Sequence, residues 1–204
     1  MTPMRVSPRP ARRFDQRNVV LGIDPGTAST GFGVVERRGG TLVSRGGGVI
    51  STTADEPLEH RLAAIASCLE QLIAEHRPAA LAVEDIFFGR NVRTAFAVGQ
   101  ARGAVLATAG AGGIPCFTYT PQAVKLAVCG SGRANKDQVR RMVAALLGLG
   151  EPPASDHAAD ALALAICHAN RMNIGPSAVK TADGCRTAEA SDGLSESPAT
   201  IPNT

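Results

Sequence analysis

Residues 19–36 read VVLGIDPGTASTGFGVVE, and the fold turns on how this stretch is divided. A run of β-branched and large aliphatic residues closes on one acid, Asp24. A turn of Pro, Gly, Thr and Ser follows, then a second apolar run. The pattern predicts two strands joined by a short glycine turn. Residues 41–52, TLVSRGGGVIST, add a third, weaker strand, and the three make an antiparallel meander. A carboxylate at the tip of a buried strand has two chemical uses. It can be held to a metal for phosphodiester chemistry, or it can stand beside a loop that cradles the phosphates of ATP.

Beyond the meander the pattern alternates between helix and strand, which predicts a sheet with helical layers. Residues 57–76 suit a helix with Pro57 in its first turn and Leu62, Ile65, Leu69, Leu72 and Ile73 at helical spacing; Arg77 and Pro78 end it. AALAVEDIFF is a short strand-type run with Glu84 and Asp85 near its end. An Ala-rich helix follows from Asn91, its glycines permitting close packing, and IPCFTY is a last strand. Thr120 and Pro121 pair as cap and first residue of a short helix, Gly130 and Gly132 mark a loop, and a helix runs from Lys136 to about Leu147. The final helix spans about Ser155 to Asn170. Residues 1–17, rich in Pro and Arg, and 171–204, small and polar, read as disordered extensions around one domain at 18–170.

Composition narrows the function. A chain of 204 residues with 44% hydrophobic content has room for one well-buried α/β domain and little more. Its five cysteines form no CxxC pair and have no regular spacing, so neither a zinc site nor a disulfide framework is expected. No apolar run is long enough to span a membrane, and the first 17 residues lack the apolar stretch of a secretory signal. The expectation is a soluble, cytoplasmic protein. The net charge of +3 is unevenly spread. Residues 88–150 hold Arg90, Arg93, Arg102, Lys125, Arg133, Lys136, Arg140 and Arg141 against Asp137 alone, a local balance of +7. Gathered on one side, these side chains could follow a phosphate backbone; scattered, they are ordinary solvated charges.

The candidates for chemistry are polar groups placed where a fold has no need of them. Asp24 and Glu84 both close strands, and strand ends on one edge of a sheet can meet. His157 and Asp160, at i and i+3 on the last helix, face the same way. Four such groups could hold two divalent metals for in-line displacement at phosphorus, and Mg²⁺ suits carboxylate oxygens. Each also has a plainer use. Asp24 could make a turn, Glu84 an edge ion pair and His157 an ordinary first turn, while Ser155 or Asp156 suits a helix cap. Asp160 is the hardest to explain away, because it interrupts an apolar helix surface.

Taken together, LGIDPGTASTGFGVVE, AVEDIFFGRNVRTAFAVGQARG, QAVKLAVCGSGRANKDQV and HAADALALAICH resemble the RuvC family of Holliday-junction resolvases, in order from about residue 19 to 170. The resemblance implies an RNase H-like α/β fold, a mixed five-stranded sheet flanked by helices. It further implies a homodimer that nicks symmetric strands of a four-way DNA junction with Mg²⁺, two ions per subunit, or with Mn²⁺ in its place. The RuvA and RuvB branch-migration proteins would be partners. By motif, Asp24, Glu84 and Asp160 match catalytic acids that ligate metal. His157 stands where many members have aspartate, which implies greater tolerance of Mn²⁺ and activity lost as the imidazole protonates. Lys125 and Lys136 match lysines beside the scissile phosphate, and Phe87 an aromatic that stacks on a base, with Phe88 as its competitor. Arg90, Arg93, Arg133, Arg140 and Arg141 would bind phosphates, and the helix from Asn91 would be the dimer contact.

Three rivals remain at this point. An actin-like ATPase or sugar kinase shares the GIDPGTAST loop but needs a second related domain that this length does not supply. Another RNase H-like nuclease would use the same acids on another substrate. A binding protein with the fold but no cleavage would have lost an acid, and His157 is the one departure.

Overall fold

Among the described residues, five strands and five helices follow one another as β1 (Val19–Asp24), β2 (Ser29–Arg38), β3 (Thr41–Ser51), α1 (Leu58–His76), β4 (Ala80–Glu84), α2 (Val92–Ala111), β5 (Cys116–Tyr119), α3 (Pro121–Cys129), α4 (Lys136–Leu147) and α5 (Asp156–Met172). The computed structural model describes residues 18–85 and 92–172, all within one compact unit. The expectations for residues 1–17 and for Phe87, Phe88 and Arg90 lie outside the described residues, as do those for 173–204. Arg93 lies on α2, but its side chain is not among those described. The expected tail from residue 171 needs correction at its start, since α5 continues to Met172 and Arg171 stacks its guanidinium 4.9 Å over the Tyr119 ring.

The sheet runs β3-β2-β1-β4-β5. The first three strands pair antiparallel, as the meander required; β4 joins β1, and β5 joins β4, in parallel. This is the mixed five-stranded sheet that the resemblance implied. Strand alternation divides the core in two. Val19, Leu21 and Ile23 of β1 join Val34, Leu81 and Val83 against Ile65 and Leu69 of α1 and Ala101 and Val105 of α2. Val20, Val35, Ala82 and Tyr119 face the other way, towards α3, α4 and α5.

Helix α5 is apolar around almost its whole circumference, every residue from Ala161 to Ala169 being buried. It rests on the sheet backbone to backbone. A Cβ added at Gly22 would lie 2.0 Å from the Ala161 carbonyl oxygen, and one at Gly31 2.1 Å from that of His157. Gly33 is nearly as close, 2.6 Å from the Leu162 nitrogen. These three glycines serve close approach, and they fix the height of α5 above β1 and β2.

Local signals set the helix ends. Thr120 caps α3, accepting from the Ala123 amide, with Pro121 first in the helix. Asn135 and Gln138 form a reciprocal capping box at the start of α4. Pro57 stands at the N-cap position of α1, one residue before the first turn where it was expected, and Arg77 closes that helix in the left-handed region at φ 46°. The turn after Asp24 is locked from within: buried Thr30 donates its hydroxyl to the Gly26 carbonyl at 2.7 Å and accepts from the Gly26 amide at 3.3 Å. Among the described residues, no helix is long and apolar enough to cross a membrane.

Candidate active site

Parallel pairing of β1 with β4 sets Ile23 opposite Val83, so the next residues, Asp24 and Glu84, leave the same edge of the sheet side by side. Alternation sends both towards the α5 layer, the side faced by Val20 and Ala82. There the first turns of α5 present His157 and Asp160, held down on β2 by the contact at Gly31. Three segments distant in sequence therefore converge. His157 Nδ1 lies 2.7 Å from Asp24 Oδ2. A neutral imidazole that donates Nδ1–H to this carboxylate leaves the Nε2 lone pair for a ligand or a substrate proton.

The electrostatics show a site short of positive charge. Burial, reinforced by the charges of Asp24 and Asp160, pushes the Glu84 carboxyl up from 4.5 to about 7, and Lys125 opposes the shift. Asp160 is raised chiefly by burial and then by Asp24, against the pull of Lys136 and His157. Concentrating half-buried acids in this way raises the energy of their charged forms, a cost that a cation removes. The donors, three carboxyls and one imidazole with no thiol among them, suit Mg²⁺ or Mn²⁺. Among the described residues no three such donors are already drawn into metal-binding geometry, and the imidazole of His157 turns its Nδ1 to Asp24 instead. Composition and charge fit a divalent ion.

Of the other expected residues, Lys125 and Lys136 stand near enough to act on Glu84 and Asp160 respectively. Lys136 also lies 3.4 Å from Asp156 Oδ2. Asp156, expected as a cap, is instead the first residue of α5, and its carboxylate sits between Lys136 and Arg140. Arg140, expected to bind phosphate, is engaged within the protein. Its guanidinium donates twice to the Pro153 carbonyl, at 3.2 and 2.8 Å, and lies 3.8 Å from Asp156, so it braces the segment leading into α5. Arg102, counted in the basic stretch, donates to the Glu84 carbonyl at 3.3 Å and to Thr118 Oγ1 at 2.8 Å. Arg133 and Arg141 do come together, lining an open hollow of about 460 Å³ beside the start of α4.

Sequence reasoning missed the main-chain contacts of Arg140 and Arg102 and one buried pair, Tyr119 with His168. A histidine in the otherwise apolar run ALALAICHA was the available signal, since a buried imidazole requires a partner.

Comparison with known proteins adds an independent line to this geometry. Residues 20–168 match the family model for crossover junction endodeoxyribonuclease RuvC. Crossover junction endodeoxyribonuclease RuvC of Pelotomaculum thermopropionicum is 50% identical over 124 residues, which are 61% of this chain and 76% of the relative. The protein of the same name from Trichlorobacter lovleyi is 49% identical over 60% of this chain and 69% of its own length. Among solved structures, Thermus thermophilus RuvC in complex with Holliday junction substrate superposes with a TM-score of 0.74 at 41% identity, covering 78% of this chain and 97% of that one. Yeast mitochondrial Holliday junction resolvase Ydc2 shares the fold, with a TM-score of 0.53 at 12% identity over 74% of this chain and 78% of its own. The match runs from the strand that carries Asp24 to the helix that carries Asp160, and on that basis this chain belongs to the RuvC family of crossover junction endodeoxyribonucleases.

Proposed function

We propose that this chain is a structure-selective endonuclease that resolves four-way DNA junctions in recombination and repair, hydrolysing phosphodiesters by paired symmetric nicks that leave 5′-phosphate and 3′-hydroxyl ends. The observation that carries this reading is the convergence of Asp24, Glu84, His157 and Asp160 at one sheet edge, with Lys125 and Lys136 acting on the acids electrostatically.

The chemistry is metal-dependent, and the finer reading is two Mg²⁺ per subunit, replaceable by Mn²⁺, held by Asp24, Glu84, Asp160 and His157. Bound divalent ions supply a Lewis acid for the attacking and leaving oxygens. The protein's own groups do the rest. Asp24 orients the His157 ring, leaving Nε2 to bind an ion or to take the proton of the attacking water. Lys125 and Lys136 offset charge that builds on the phosphoryl oxygens, and Lys136 must leave Asp156 to do so. Arg133 and Arg141, with Arg90 and Arg93, hold flanking phosphates, and Phe87 stacks on a base near the junction centre.

Two equivalent cuts need two equivalent sites, which a C2 homodimer supplies. Helix α2 is the proposed contact: its Phe96 is 69% exposed, an unusual position for a large apolar ring unless a partner covers it. RuvA and RuvB are the proposed assembly partners and the cytoplasm the proposed location.

The test is cleavage of a labelled four-way junction with Mg²⁺ or Mn²⁺, beside linear duplex and an RNA/DNA hybrid, with Asp24→Asn as control. Paired nicks confined to the junction, abolished by the substitution while binding survives, are expected. Cleavage of the hybrid instead would point to a general RNase H-like nuclease, and binding without cleavage to a junction-binding protein.

A further inference from the structure

Beneath the site lies a buried polar pair to which this mechanism gives no task. Tyr119 closes β5 at 6% exposure, and His168 lies on α5 at 5%. Tyr119 Oη and His168 Nδ1 are 2.6 Å apart. Phe117, on the same face of β5, packs against the imidazole with ring centroids 4.3 Å apart, and Arg171 covers the tyrosine ring. Burial pushes His168 down to about 4 and the Tyr119 hydroxyl up, so both groups are neutral near pH 7. The imidazole here is a fixed hydrogen-bonding post.

Each end of this bond is one rigid step from an acid of the site. Tyr119 is the strand partner of Glu84, and its carbonyl accepts from the Asp85 amide at 2.9 Å. His168 is eight residues along α5 from Asp160, about 12 Å of helix. On the β1 and β2 side, the glycine contacts fix α5 against the sheet. Towards β4 and β5 the packing against α5 is apolar, from Ala82 and Phe117 to Leu164 and Ala165. The hydrophobic driving force of that contact has no preferred direction, whereas a hydrogen bond does.

We propose that Tyr119 and His168 are positioning residues for the acidic site: their hydrogen bond pins α5 to β5 and thereby fixes where Asp160 stands relative to Glu84. The inference rests on the reading of those acids as a metal-holding set. The plainer alternative is that the bond merely satisfies two buried polar groups.

Two variants of the full chain, Tyr119→Phe and the double Tyr119→Phe/His168→Leu, separate these. The readouts are Tm, Mn²⁺ binding to DNA-free protein by electron paramagnetic resonance, junction Kd, and single-turnover cleavage rate. Tyr119→Phe leaves the imidazole unpartnered and lowers Tm, while the double variant, apolar on both sides, recovers it. If the bond positions the acids, Mn²⁺ affinity and cleavage rate stay down about 10- to 100-fold in both variants, with junction Kd moving less than about twofold. Recovery of Mn²⁺ affinity and rate together with Tm in the double variant would overturn the proposal. Failure of the unmodified chain to cut junctions would overturn the nuclease reading alone, because the Mn²⁺ measurement on DNA-free protein still decides the positioning role.

Discussion

A carboxyl group held up at about 7 by burial and by two acidic neighbours makes Glu84 a liability to the metal-free fold. Because its native pKa lies above the ordinary 4.5, the native state binds the extra proton between those values. Stability therefore falls as pH rises from about 4.5 to about 7, and is level beyond. Glu84→Gln removes this dependence. With chelator present, the variant should be more stable than the parent by about 2 kcal/mol at pH 8, after allowance for partial solvent screening, and nearly equal to it at pH 4. Thermal melts at the two pH values check this; equal Tm differences at both would remove the argument. Under the proposed metal-holding role of Glu84, the same substitution should also abolish cleavage. At this scale the acids were legible in the sequence because each breaks an apolar pattern at a strand tip or on a helix face. Arg140 and Arg102 were not, since their partners are the Pro153 and Glu84 carbonyls, and no side-chain pattern advertises a main-chain acceptor.

Between elements, the decisive interface is α5 on β1 and β2. Gly22→Ala places a methyl group 2.0 Å from the Ala161 carbonyl oxygen, where no rotamer offers an escape and the helix itself must move. Gly31→Ala does the same under His157. Both should cost about 3 kcal/mol or more, near or above the usual limit for overpacking, measurable as a lowered denaturant midpoint. Gly40→Ala, at a position with nothing within 4 Å, is the matched control and should leave the midpoint nearly unchanged. The elements themselves were legible: three meander strands, the Thr120–Pro121 start of α3 and the span of α4 all follow local rules. The glycines in strands β1 and β2 were visible too, but read alone they signal only a turn or a weak strand. Their use depends on a helix more than a hundred residues away.

For the whole molecule, the question is how a domain of nearly balanced charge holds a polyanion. Arg140 and Arg102 each spend donors on main-chain carbonyls, which leaves fewer of their N–H groups for phosphate than the sequence count suggested. Arg133→Ala and Arg141→Ala, which alter the hollow beside α4, should each flatten the slope of log Kd against log salt by about one unit. Arg140→Ala should leave that slope nearly unchanged and lower stability instead, since it breaks the brace to Pro153. A slope that changed equally for all three would contradict this division. The backbone-to-backbone seating of α5 has a further consequence for how such a site can change. At Gly22 and Gly31 the helix carbonyls meet the sheet with no side chain between, so there is no shim there to thin or thicken. At that end of α5 the gap between His157 and Asp24 is therefore set by the dimensions of the main chain itself, and a side chain added at Gly22 or Gly31 would push the helix off its seat rather than retune the gap by degrees.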